Sequence, residues 1–105
     1  MPARVHAILV ARSSANALAR VLRALDALSV QTLPLAAITI VIRGSSAPLR
    51  GSAGVAAAAE AVIETRTNAT IASAVSLALP RVQDGFSAWI LTDEAVPELE
   101  ALEHL

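Results

Sequence analysis

Four short apolar runs, each cut off by turn-forming or charged residues, constrain this chain more than any other feature. They are Val5 to Val10 (VHAILV), Ala37 to Ile42 (AITIVI), Val62-Ile63-Glu64, and Ser87 to Thr92 (SAWILT). The first two are almost continuously apolar, the pattern of strands buried on both faces. Between the first pair, Leu18, Val21, Leu22, Leu25 and Leu28 recur at helical spacing while Arg20, Arg23 and Asp26 point elsewhere. This predicts an amphipathic helix over 15–30, with Ser13, Ser14 and Asn16 as competent caps and Pro34 closing the element. Residues 69–79 carry Ile71, Val75 and Leu79 at intervals of four, predicting a second main helix capped by Asn68 and stopped by Pro80. The alanine-rich stretch from Gly51 to Ala61 has room for a short helix that Gly51 and Gly54 weaken. Pro97-Glu98 opens a final one, with proline in the first turn and glutamates near the helix N-terminus.

Strands alternating with helices imply parallel pairing through right-handed crossovers. The expected fold class is α/β: a three-layer sandwich with a mostly parallel four-stranded sheet, ordered 3-2-1-4, as in a Rossmann-like half-domain. The first helix should cover one face and the two later main helices the other. Ligands in such sheets bind beyond the carboxyl ends of the strands. That directs attention to the loops Ala11–Asn16, Arg43–Arg50 and Asp93–Pro97.

With 105 residues, the chain is expected to be a single α/β domain over 1–105. Its hydrophobic content of 55 % is largely alanine, and arginines interrupt it throughout, so no apolar run reaches the ~20 residues of a spanning helix. The N-terminal apolar run is too short, and lacks the cleavage signal, to read as a secretory leader. A formal charge of -1, dispersed arginines and 2 % aromatics argue against a nucleic-acid partner. Without cysteine, neither disulfides nor thiolate metal sites arise, which is compatible with a cytoplasmic location. Arginine is the sole long cation and alanine is abundant; the bias fits a GC-rich bacterial genome and concerns codons, not function.

The stretch WILTDEAVP stops an apolar run at two adjacent carboxylates, Asp93 and Glu94. Such a pair either holds a hard cation or caps the next helix in solvent, and adjacent residues on an extended chain diverge in direction, which favours Asp93 as the ligand. Arg43 at a strand end matches phosphate geometry, or is simply an exposed charge. Gly44-Ser45-Ser46 has backbone donors for a phosphate but also suffices as a turn. Ser13 and Ser14 read as helix caps, with a ribose contact as the alternative. His6 lies inside an apolar run and reads as a packed histidine, while His104 has no companion for a metal or catalytic pair. No G-x-S-x-G elbow, dinucleotide fingerprint or P-loop follows a strand.

Taken in order, four blocks carry a resemblance. VHAILVARSSANALARVLRALDALSVQTLP is similar to the first strand, first helix and "QT-x-P" turn of the inverting family 2 glycosyltransferases, which have the GT-A fold. AITIVIRGSS stands at the second strand and its "V-D-D-G-S" ending. TNATIASAVSLAL resembles the helix that begins "N-x-G", and WILTDEAVPELEALEHL resembles the strand, acidic motif and following helix. The likeness spans essentially the whole chain and corresponds to the N-terminal, nucleotide-sugar-binding half of that family.

The resemblance implies a donor site for a nucleoside-diphosphate sugar, commonly a UDP-sugar. Ala11, Arg12, Ser13, Arg43, Ser45 and Asp93 would line it, with a divalent metal, Mn²⁺ or Mg²⁺, on Asp93 and Glu94. Such a cation stabilises the diphosphate as it leaves. The chain departs from the family where Ile42 and Arg43 replace paired aspartates, and where Ala95, Ser76 and Thr70 replace an acid, an asparagine and a glycine. The family's acceptor half and catalytic base correspond to nothing within residues 1–105. The chain is thus expected to be an N-terminal fragment of a longer glycosyltransferase-like protein, with no catalytic residue and no transfer activity alone. The alternative is a degenerate, non-catalytic GT-A domain acting as an interaction or scaffolding module. A third option, a receiver-type α/β domain, would want acids where Arg12-Ser13-Ser14 stand. As a fragment the chain is expected to self-associate through the edge strand Ser87 to Thr92.

Overall fold

The structure is a computed structural model, and it describes residues 4–29 and 35–92. The elements run β1 (Val5–Arg12), α1 (Ala17–Ser29), β2 (Leu35–Arg43), α2 (Ala53–Ala58), β3 (Ala61–Thr65), α3 (Ile71–Ala78) and β4 (Ser87–Thr92). Short 3-10 turns at Ala47–Leu49 and Leu79–Arg81 follow β2 and α3. The strands form one sheet in the order β3-β2-β1-β4, and every pairing is parallel. The expected order therefore holds, and the sheet is wholly rather than mostly parallel. The expected helix after Pro97 lies outside the described residues, as does Pro34.

Parallel strands need helical crossovers, and here the crossovers divide the core in two. On one face, Ala7, Leu9 and Ala11 of β1 and Ile38, Ile40 and Ile42 of β2 pack beneath Ala17, Val21, Ala24, Leu25 and Leu28 of α1. Leu49 and Val55 complete that layer, so α2 shares the face of α1. On the other face, Ile8, Val10 and Val41 meet Ala74, Val75 and Ala78 of α3. Apolar layers cover both faces of the two middle strands, which is why these strands read as nearly continuous hydrophobic runs. Each fully buried Ile or Leu contributes about 1.5–3 kcal/mol of hydrophobic stabilisation.

Several boundaries differ from the sequence reading, each for a local reason. β1 and β2 run on to Arg12 and Arg43, because parallel pairing continues to the register Arg12↔Arg43. Ala11 and Arg12 thus belong to a strand rather than a loop. The cap of α3 is Thr70, not Asn68: its side chain accepts from the Ser73 amide at 3.0 Å, and extended backbone at Thr70 places the hydroxyl over the first turn. Ile71 and Leu79, expected on the buried face, are 42 % and 47 % exposed, and the small Ala74 and Ala78 take their place against the sheet.

Candidate functional site at the carboxyl edge of the sheet

Beyond β1 and β2 the chain turns sharply, yet the turns are tied to one another. The Ser13 amide donates to the Arg43 carbonyl at 3.0 Å, and the Gly44 amide to the Thr65 carbonyl at 2.9 Å. These bonds carry the ladder one residue past the strand ends, so three loops leave the sheet at one level. Gly44 is required there. Its φ of +114° lies where side chains are rarely accommodated, and a Cβ would stand 2.8 Å from Cβ of Ser13. The loop that follows is held by its own side chains and by β3. Ser45 Oγ accepts from the Ala47 amide at 3.1 Å, and Glu64 Oε2 accepts from the Ser46 amide at 2.6 Å.

Arg43 sits on the α3 side of this edge. Its Nη1 donates to the Ala69 carbonyl at 3.2 Å, just ahead of the α3 cap. Its Nε is buried with no hydrogen-bond partner. The register sets Arg12 directly beside Arg43, and Arg12 is exposed. Glu64 pairs in register with Ile42, whose side chain is in the core under α1, so this carboxylate faces away from the two arginines. Among the described residues, then, the two arginines share one face of this edge and Glu64 lies on the other.

Four of the six donor-site residues expected from the sequence, Arg12, Ser13, Arg43 and Ser45, meet at this edge. Ala11 is close by in the chain, but it is wholly buried in the core and paired in the ladder with Ile42, so it does not line this edge. Asp93 and Glu94 lie outside the described residues; they follow Thr92, the last residue of β4, directly in sequence. Among the described residues no group of three or more histidine or acidic side chains could hold a metal ion. Ile42, standing where the resemblance would want a carboxylate, is wholly buried in the core.

His6 is a packed histidine, as its apolar setting implied. Its Nε2 is 2.7 Å from Thr39 Oγ1, and both residues are buried. Sequence reasoning missed the parts played by Thr39, Glu64 and Ala69. Nothing in a β-branched threonine inside an apolar run marks it as the partner of a histidine 33 positions away. Glu64, a lone acid ending an apolar strand, was the one legible signal.

No protein-family model, curated protein or solved structure matches this chain. Among the described residues no helix is long and apolar enough to cross a membrane.

Proposed function

We propose that the chain is the donor-binding part of a glycosyltransferase of the family 2, GT-A type, taking a nucleoside-diphosphate sugar, most simply a UDP-sugar, in the cytoplasm. The observation that carries the reading is the order β3-β2-β1-β4, which reverses direction between β1 and β4. A parallel sheet opens a crevice at such a reversal, outside the carboxyl ends of the strands. Arg12 and Ser13 leave β1 there, Arg43 and Ser45 leave β2 next to it, and the acidic pair Asp93-Glu94 follows β4 in sequence. On this reading the arginines hold phosphate oxygens, while the loop amides of Ser13, Gly44, Ser46 and Ala47 hold the loops in place. Asp93, with Glu94 beside it, would hold a Mn²⁺ or Mg²⁺ ion, whose contribution is to stabilise charge on the diphosphate. The chain binds donor and transfers nothing by itself.

The burial of Ile42 favours a weak site, because an isoleucine in the core offers a nucleobase no polar contact. A missing polar contact costs about 1–3 kcal/mol where a partner goes unpaired, and two such losses move a micromolar site to about millimolar. Calorimetric titration of the 105-residue chain with UDP and Mn²⁺ tests this. The expected result is binding at about millimolar strength that needs both and weakens in Asp93→Asn. Absence of saturable heat with both present at about 10 mM would overturn it and favour a degenerate scaffolding domain. Self-association belongs to the same proposal. β4 is an edge strand without a charged residue, and Ile90 on it is 47 % exposed.

A further inference from the structure

We infer that β4 pairs with β4 of a second copy of the chain, antiparallel, about a two-fold axis through Ile90. The backbone decides which groups are free for this. The Ser87 amide donates to the Arg4 carbonyl, just ahead of β1, at 2.9 Å. Successive residues of a strand turn their N–H and C=O groups to opposite sides. Ser87, Trp89 and Leu91 therefore face β1, and Ala88, Ile90 and Thr92 face outward, where no strand partner lies among the described residues. The side chains of the same three residues stand on the α3 side, where Ala88 is exposed and Ile90 nearly half so. Edge strands are kept apart by charges, prolines and bulges, and β4 has none of these. The other edge strand, β3, carries Glu64 within its five residues.

Two-fold symmetry then fixes the register. An axis normal to the sheet at its edge runs a strand antiparallel to its own copy. Only with Ile90 on that axis do all three outward residues find partners. Ile90 then faces Ile90 of the second copy, and Ala88 faces Thr92 in both directions. Residues that exchange both hydrogen bonds in such a pair stand about 5.5 Å apart, so the two isoleucines cover one another with small side chains on either side. No charge within β4 meets a like charge. Joining β4 to β3 instead would add copies without closing, and Glu64 on β3 works against that edge. Six residues bury less than the roughly 1,200 Å² of a stable interface, so the pair is a weak one. The inference deepens the self-association reading and rests on it; what it adds is the partner, the symmetry and the register.

The chain has no cysteine, so single substitutions give single thiols for a short bismaleimide cross-linker. Ile90→Cys, Ala88→Cys and Thr92→Cys would each be treated alone in the 105-residue chain, at a concentration on the order of 0.1 mM or above. Ile90→Cys should cross-link to a covalent dimer at least about tenfold faster than either of the others, whose equivalent positions lie about four residues apart along the paired strands. An equal mixture of Ala88→Cys and Thr92→Cys should regain the fast rate, as a dimer holding one chain of each. That mixture keeps Ile90 intact, so it decides the matter even if Ile90→Cys does not fold. Light scattering of the parent chain should rise with concentration and level off at twice the monomer mass. Association with equal cross-linking from all three thiols, or with no gain on mixing, overturns the register and leaves self-association standing. Mass that grows past the dimer overturns the two-fold pair in favour of an open array. A monomeric mass at every concentration overturns both, and a thiol at position 90 that also resists labelling in that monomer would show the edge covered from within the chain.

Discussion

Gly44 and Gly51 both have positive φ, at +114° and +76°, but their surroundings differ. At Gly51 no atom lies within 4 Å of where a Cβ would be, whereas at Gly44 the Ser13 Cβ is 2.8 Å away. Gly51→Ala should cost about 1 kcal/mol from the backbone alone. Gly44→Ala should cost about 2–4 kcal/mol, because strain is joined by a clash with another loop that is itself pinned. Urea unfolding of the two variants checks the difference, and equal losses would mean that the Ser13 loop yields freely. The pair His6 and Thr39 makes a second comparison. Removing either partner leaves a buried polar group unsatisfied, at about 1–3 kcal/mol, whereas removing both does not. A double-mutant cycle with His6→Leu and Thr39→Val should therefore show coupling of about 1 kcal/mol, and strict additivity would count against the bond. His6 was legible as a packed residue from its apolar neighbours, but its partner was not. Adjacency across strands depends on register, which one strand's sequence does not contain. Arg12 and Arg43 were both expected at the donor site, but their side-by-side register was not legible, for the same reason.

At the element scale, the strands and the first helix were legible because their patterns are strong. Residues 15–30 were expected to be helical and Ala17–Ser29 is; the strand Ser87–Thr92 has the bounds read from its sequence. α3 was harder. Its sequence alternates small and large apolar residues, so a period of four fits Ile71, Val75 and Leu79 as well as it fits the buried set. What decides is close approach to the sheet, which alanine allows and leucine does not. Thr70→Ala should cost about 1 kcal/mol by removing the cap, and Asn68→Ala almost nothing; the opposite ranking in thermal melts would return the cap to Asn68. In α2, Gly54→Ala pits two effects against each other. Helix propensity favours alanine by about 1 kcal/mol. Against it, the new methyl would come within 2.9 Å of Leu22 Cδ2. That atom ends a flexible side chain that is 37 % exposed, so Leu22 should swing aside. The expected net effect is a gain of about 0.5 kcal/mol, seen as a higher melting temperature. A drop would show that Leu22 is held in place by α2.

For the whole molecule, strand order was legible because alternation of strand and helix leaves few right-handed ways to build a sheet. The candidate site was legible only in outline, since ladder register and the turn at Gly44 gather its residues and neither is written in a motif. β4 leaves one side of the sheet open in the described residues, and Ile90 stands beside Ile8 on the α3 side. Light scattering at rising concentration should reveal association that Ile90→Lys abolishes; a monomeric mass throughout would argue against an adhesive edge. The same topology has a consequence for synthesis. β1 lies in the middle of the sheet, yet one of its two neighbours, β4, is the last of the described strands to be made. About eighty residues separate the pairing of Val5 with Ser87, and at ribosomal speeds of about 5–20 residues per second that is a wait of roughly 4–16 s. Throughout that interval the most thoroughly buried of the described strands has a bare hydrogen-bonding edge, and neighbouring nascent chains on the same message display the identical edge. Slowing translation of the segment before Ser87 should lengthen this exposure and raise the fraction of chain that aggregates, while the finished protein's stability stays the same.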